Sequence, residues 1–212
     1  MDIRELRIAG AWEITPRQLG DTRGIFLEWF KSSSFTLATG RKVELAQANC
    51  SVSAAGSLRG IHFTDTPPGQ TKYVTCVKGA FLDVIVDLRI GSPTFGEWDS
   101  VLIDDDNRKA VYLSEGLGHA ILSLEDGSTV MYLCSIEYSP QFDRDLHPFD
   151  PDLNIAWPTT DRTGRPLVYE LSAKDAEAPS LGALRKSESL PTTARGKSLG
   201  IEDSEMSHAH RP

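Results

Sequence analysis

The chain has 212 residues, of which 22 are Lys or Arg and 30 are Asp or Glu, for a formal charge of −8. That length suits one domain with a sizeable core, and the acidic balance argues against a nucleic-acid partner, which would require a basic stripe. No charged-then-apolar leader and no apolar run long enough to span a bilayer is present, so a soluble, cytoplasmic protein without a membrane partner is expected.

In chain order, the first β-like run lies at residues 20–30 (GDTRGIFLEWF), a turn followed by an alternation that sets Ile25, Leu27 and Trp29 against Phe26, Glu28 and Phe30. Glu28 shares its face with two aromatics, so either it points into a polar cavity or that face is open to solvent. An edge-strand acid there would discourage aggregation. Short runs follow at 46–52, 73–77, 98–103, 109–113, 119–124 and 129–138, separated by Gly, Pro, Asn or Asp clusters. The clearest run, 81–88 (FLDVIVDL), places Leu82, Val84, Val86 and Leu88 on one face and Asp83 and Asp87 on the other, the pattern of a half-buried strand. Tyr132, in the run at 129–138, falls on a mostly apolar face and by pattern alone is a core residue. Many short strands at this spacing predict an all-β sandwich or barrel.

Helix is nearly absent until 171–178 (LSAKDAEA), where Ser172 is a candidate N-cap with Asp175 three residues on. From about 186 onward Ser, Thr, Gly, Glu and Lys dominate. Residues 1–185 are therefore expected to form the domain, and 186–212 a loosely attached tail. His208 and His210 in that tail have no third ligand in sequence and are read as solvated. Cys50, Cys76 and Cys134 are odd in number and widely spaced, which suggests buried free thiols in a reducing compartment.

The segment 56–79 (GSLRGIHFTDTPPGQTKYVTCVKG) gathers Arg59, His62 and Lys72 in one strand-loop-strand stretch. Histidine changes protonation near neutrality, so one flanked by two permanent cations in an acidic protein suits a general base beside an anionic substrate. The same three residues also fit an ordinary strand histidine with two solvated charges.

The order of motifs resembles that of the dTDP-4-dehydrorhamnose 3,5-epimerase family, whose members are cupin-like jelly rolls acting on dTDP-4-keto-6-deoxyhexoses. The resemblance is carried by DTRG at 21–24 with Glu28, QANCS at 47–51, LRGIHF at 58–63, PPGQTKYV at 67–74 and KGAFLDVIVDLR at 78–89. It continues through SPTFGEW at 92–98, GLGHA at 116–120, YLCSIEYSP at 132–140, DPDLNIAWP at 150–158 and LSAKDAEAP at 171–179. It implies an all-β, cupin-like jelly-roll barrel with short peripheral helices, and epimerisation next to the C4 ketone at C3 and C5, or at C3 alone. His62 is implied as the base, Asp175 as its orienting carboxylate, Lys72 as the cation that holds the enolate oxygen, and Tyr132 as the proton donor on the opposite face. Arg23, Arg59 and Lys174 are implied near the diphosphate. Glu28, Gln47, Asn49 and His119 are implied as thymine, ribose or sugar contacts. The chain departs from the family pattern in LGHAIL at 117–122 and in Asp143, where Glu is frequent, and both changes touch the wall where the sugar sits. A homodimer with an N-terminal strand crossing to the partner sheet is a further implication, and neither a cofactor nor a metal is implied.

Two rivals are weaker. A metal-dependent cupin site needs an HxH pair, whereas here His62 is followed by Phe63 and Thr64. A non-catalytic sugar-nucleotide binder would be expected to lose its acid–base residues, yet His62, Lys72, Tyr132 and Asp175 are all present.

Overall fold

A computed structural model of the chain describes residues 1–193. The elements in chain order are β1 (Asp2–Glu5), β2 (Ala11–Thr15), β3 (Gln18–Asp21), β4 (Gly24–Leu27), helix α1 (Ser32–Thr39), β5 (Gln47–Ser53), β6 (Leu58–Thr64) and β7 (Lys72–Lys78). They continue with β8 (Ala80–Asp87), β9 (Trp98–Asp104), β10 (Ala110–Leu113), β11 (Leu117–Ser123), β12 (Ser128–Cys134), β13 (Asp143–Asp145), α2 (Ala173–Ala176) and α3 (Leu181–Lys186). One sheet has the order β1-β2-β10-β7-β12-β5 and the other β13-β6-β11-β8-β9, with β3 and β4 forming a separate hairpin. All pairings between these strands are antiparallel, and the two larger sheets build the expected jelly roll. No helix among the described residues is long and apolar enough to cross a membrane.

The core has three layers, and each follows from the side chains that one face of a sheet presents. Val74, Val111 and Val130 from one sheet meet Phe81, Ile85 and Ile103 from the other in the barrel interior. Outside the five-stranded sheet, Val84, Val86 and Leu88 are covered by Leu181, Leu184 and Leu190. Strand β8 is therefore buried on both faces, and the half-buried reading of 81–88 does not hold. Asp83 and Asp87 point to the interior and are fully buried. Each acid is matched by a partner, since an isolated buried charge is costly. Asp83 bonds His119, while Asp87 takes a two-pronged contact from Arg89 together with the hydroxyls of Ser92 and Thr94.

The third layer explains a helix the pattern did not predict. α1 (SSSFTLAT) buries only Phe35, has no side-chain N-cap, and ends at Gly40 in the left-handed region. Phe35 inserts among Trp12, Tyr73 and Tyr112, with a centroid separation of 4.8 Å to Tyr112. Tertiary burial of one aromatic, rather than local propensity, holds this helix. The run at 20–30 is likewise shorter than expected. It leaves the extended conformation after Leu27, and Trp29 and Phe30 turn onto the same aromatic layer, where the Trp29 carbonyl accepts from the Tyr73 hydroxyl at 2.6 Å.

α3 follows α2 as a second short helix near the end of the described residues. Two further expectations are corrected. Cys50 is exposed, although Cys76 and Cys134 are buried, and all three thiols are unpaired. The chain does not detach at 186: Leu190 is buried in the outer layer, and Ile90 pairs with the segment through Pro191 and Thr193. One apolar anchor and backbone bonds in an otherwise polar stretch are enough to hold it through 193. His208 and His210 lie outside the described residues.

Candidate active site

β6 and β7, which the sequence places in one strand-loop-strand stretch, belong to different sheets. His62 on β6 therefore meets Lys72 on β7 across the barrel mouth rather than along a hairpin. Between them lies a two-lobed cleft of about 330 Å³ and 250 Å³, with His62, Lys72, Tyr132 and Lys174 lining both lobes. Tyr132 comes from β12 on the same sheet as Lys72. Its ring also packs on the interior core, so the apolar pattern and the cleft position are both real.

The His62 end is a connected network. His62 Nε2 lies 2.7 Å from Asp175 Oδ1. The other oxygen of that carboxylate accepts from the Ser172 hydroxyl at 2.8 Å, and Ser172 Oγ caps α2 by accepting from the Asp175 amide at 3.1 Å. Capping and histidine orientation thus coexist in one residue. Burial alone would raise the Asp175 carboxyl, but His62, Ser172 and the Gly60 amide outweigh it and hold the group below the usual carboxylate range. Gly60 is required here. It has φ +113°, and a Cβ would come within 2.5 Å of the His119 carbonyl, so only glycine lets β6 run this close to β11.

A second histidine lies beside the first. His119 on β11 is the cross-strand neighbour of His62, is buried, and has Nε2 2.9 Å from Asp83 Oδ2. The other Asp83 oxygen is buried without a partner among the described residues.

Lys72 is half-buried, with Cys134 as its register neighbour on β12. Loss of hydration lowers its pKa, opposed only in part by Cys134, Asp143 and Asp83. Its ammonium is thus poorly solvated and would be stabilised by an arriving anion. Burial raises the Tyr132 phenol, with Cys134 adding to the effect and Arg59 opposing it.

Of the remaining predicted residues, Gln47, Asn49 and Asp143 line the larger lobe, whereas Arg59 and His119 line the smaller. Gln47 Nε2 donates to Asn49 Oδ1 at 2.8 Å, and Gln47 Oε1 accepts from the Tyr138 amide at 2.7 Å. Arg23 and Glu28 are not brought to this cleft. The β3–β4 hairpin extends into solvent, Arg23 pairs with Asp21, and Glu28 beyond its end pairs with Lys31.

Sequence reasoning missed Asp83 and Asp145. The alternation that put an acid mid-strand at Asp83 was a usable signal. Asp145, which pairs with Lys174 at 3.0 Å and lies 3.7 Å from His62 Nε2, had none. Donor atoms of His62, Asp145 and Asp175 lie within 4.8 Å of one another. The Lys174 ammonium lies 3.0 Å from Asp145 Oδ1, and the Asp175 carboxylate is engaged by His62 at 2.7 Å.

Comparison with known proteins identifies the family. Residues 5–183 match the family model described as dTDP-4-dehydrorhamnose 3,5-epimerase. A dTDP-4-dehydrorhamnose 3,5-epimerase of Mycolicibacterium smegmatis is 55% identical over 194 residues, covering 92% of each chain. The structure of NovW, a 4-keto-6-deoxy sugar epimerase from the novobiocin cluster of Streptomyces spheroides, superposes with a TM-score of 0.86 at 52% identity, covering 92% of this chain and 94% of that one. ChmJ, a 3'-monoepimerase from Streptomyces bikiniensis solved with dTDP-quinovose, gives a TM-score of 0.85 at 47% identity, covering 92% and 95%. On this similarity across nearly the whole chain, the protein belongs to the dTDP-4-dehydrorhamnose 3,5-epimerase family.

Proposed function

We propose that this chain is an isomerase that epimerises a dTDP-4-keto-6-deoxyhexose at C3 and C5. The observation that carries the reading is a base and an acid on opposite sheets of one cleft, His62 on one side and Tyr132 with Lys72 on the other. Inversion beside a ketone needs a proton removed from one face, the enolate held, and a proton returned to the other face. With Nε2 engaged by Asp175, His62 Nδ1 is the atom left to accept the C–H proton, and Asp175 stabilises the imidazolium that forms. The C4 oxygen, now an enolate, is held by the desolvated Lys72. Tyr132 returns a proton to the carbon from the far face and regains one from solvent. Burial keeps its phenol protonated, and an enolate carbon is basic enough to use so weak an acid. Arg59 and Lys174 supply charge for the diphosphate, with Gln47, Asn49, His119 and Asp143 facing the rest of the nucleotide sugar.

Inversion at C3 alone is the second reading, favoured by the likeness to a 3'-monoepimerase. Incubating the keto-sugar nucleotide in heavy water separates the two by NMR. Deuterium at C3 and C5 is the expected result, deuterium at C3 alone would establish the second reading, and deuterium at neither would refute both. A Tyr132→Phe variant is expected to retain washout of the C3 proton while losing inverted product.

We further propose a homodimer built through the hairpin. Leu19, Ile25 and Phe26 are exposed at 48%, 62% and 65%, a cost that burial against a second copy would recover. That packing would give Arg23 and Glu28 a role in the partner's cleft, since they have none in their own. Light scattering is expected to give twice the 23.3 kDa chain mass, with Phe26→Asp shifting it to the monomer. A wild-type monomer would rule this assembly out.

A further inference from the structure

We propose that Asp145 is a positioning residue that couples nucleotide binding to the strength of the His62 base through Lys174. The proposal rests on the epimerase reading of the cleft. Asp145 is the register partner of His62 across β13 and β6, and its Oδ1 is the oxygen that lies 3.0 Å from Lys174 Nζ and 3.7 Å from His62 Nε2. Its side chain is only 16% exposed, whereas that of Lys174 is 55% exposed and borders both lobes.

The charged and titratable groups around His62 are Asp175 and Lys174 on α2, Asp143 and Asp145 on β13, and His119, itself bonded to Asp83, on β11. Arg59 on its own strand, Arg144 on β13 (itself bonded to Asp65), Lys72, Tyr132 and Cys134 across the cleft, and Tyr138 after β12 complete the set. Among these, Lys174 is the exposed cation tied to a carboxylate that also borders the imidazole. In the empty cleft its ammonium lies 3.0 Å from the Asp145 oxygen, without the alignment of a hydrogen bond, and partly offsets the charge of that carboxylate. A diphosphate carries two negative charges and competes for that ammonium, so its arrival leaves Asp145 unpaired beside Nε2–H. Two carboxylates rather than one then face the imidazolium, which favours the protonated ring. The base becomes stronger once the nucleotide is in place, and no bond is made or broken in the switch.

The test is the pH dependence of C3 proton exchange between pH 5 and 9, a range in which the doubly esterified diphosphate of a sugar nucleotide does not titrate. The acid limb of kcat/KM reports the free enzyme and that of kcat the complex. In the wild type the kcat limb is expected about one pH unit higher. In Asp145→Asn the two limbs should coincide. In Lys174→Met the kcat/KM limb should rise to meet that of kcat, because Asp145 is then unopposed without nucleotide. The proposal is overturned by a wild type with coincident limbs, or by an Asp145→Asn variant that keeps the wild-type separation. It is also overturned if Asp145→Asn loses all exchange while still binding thymidine diphosphate by calorimetry, since Asp175 should sustain the base. If Asp145→Asn does not fold, an unmoved limb in Lys174→Met overturns it alone. Failure of the wild type to bind thymidine diphosphate would instead sink the nucleotide reading beneath it.

Discussion

Replacing His62 with alanine is expected to slow proton exchange at C3 by about 10³-fold, the middle of the range for loss of a positioned general base, while binding of thymidine diphosphate is retained. The reasoning is geometric. His62 sits at the junction of the two lobes, and its Nδ1 has no partner among the described residues, which leaves that nitrogen free to accept a proton. His119 cannot substitute without leaving Asp83, to which it is bonded in a buried position. The fold should survive, because Asp175 keeps Ser172 and the Gly60 amide as partners when the imidazole is gone. Exchange at the wild-type rate in a variant that still binds nucleotide would remove His62 from the mechanism.

Lys72→Met is expected to lower the exchange rate by about 10²- to 10³-fold, the usual loss for a preorganised oxyanion partner. The pH profile carries the diagnostic sign. Desolvation holds the folded pKa of Lys72 below its ordinary value. Its ammonium is therefore lost at lower pH than that of a free lysine, and wild-type activity should fall on the alkaline side earlier than a surface lysine would predict. The same depression means the folded chain resists that proton. Its cost to stability is fully present below the folded pKa and disappears as pH rises past the unfolded one. Removing the charge at pH 7 should leave Tm unchanged or raise it, the expected trade of stability for function at an active site. Loss of activity together with a drop in Tm of several degrees would mark Lys72 as structural.

Much of this molecule was legible locally. Strand positions for β5 and for β7 to β12 followed from alternation and turn residues, because each strand needs one face apolar whatever it later packs against. The Ser172–Asp175 cap was legible for the same reason, since a helix start is satisfied by residues within one turn of it. Elements that depend on distant partners were not. α1 has a polar, Ser- and Thr-rich sequence and exists because Phe35 finds an aromatic layer from β2, β7 and β10. The second face of β8 was misjudged because alternation reports polarity, whereas Asp83 and Asp87 are polar and buried through partners 36 residues away for His119 and only 2 away for Arg89.

The sequence by itself determined most of the strand menu, the residue types that could line a site and, through the order of its motifs, the family. Only the tertiary structure decided which of those residues meet. It separated His62 from Lys72 onto opposing sheets, so that the pair encloses a cleft instead of sharing a surface. It brought Asp145 to His62 through the pairing of β13 with β6, and left Arg23 and Glu28 outside. The physical reason is that local patterns record what each residue must satisfy within a few positions, while a catalytic cleft is made by sheet pairing and face-to-face packing between segments far apart in the chain.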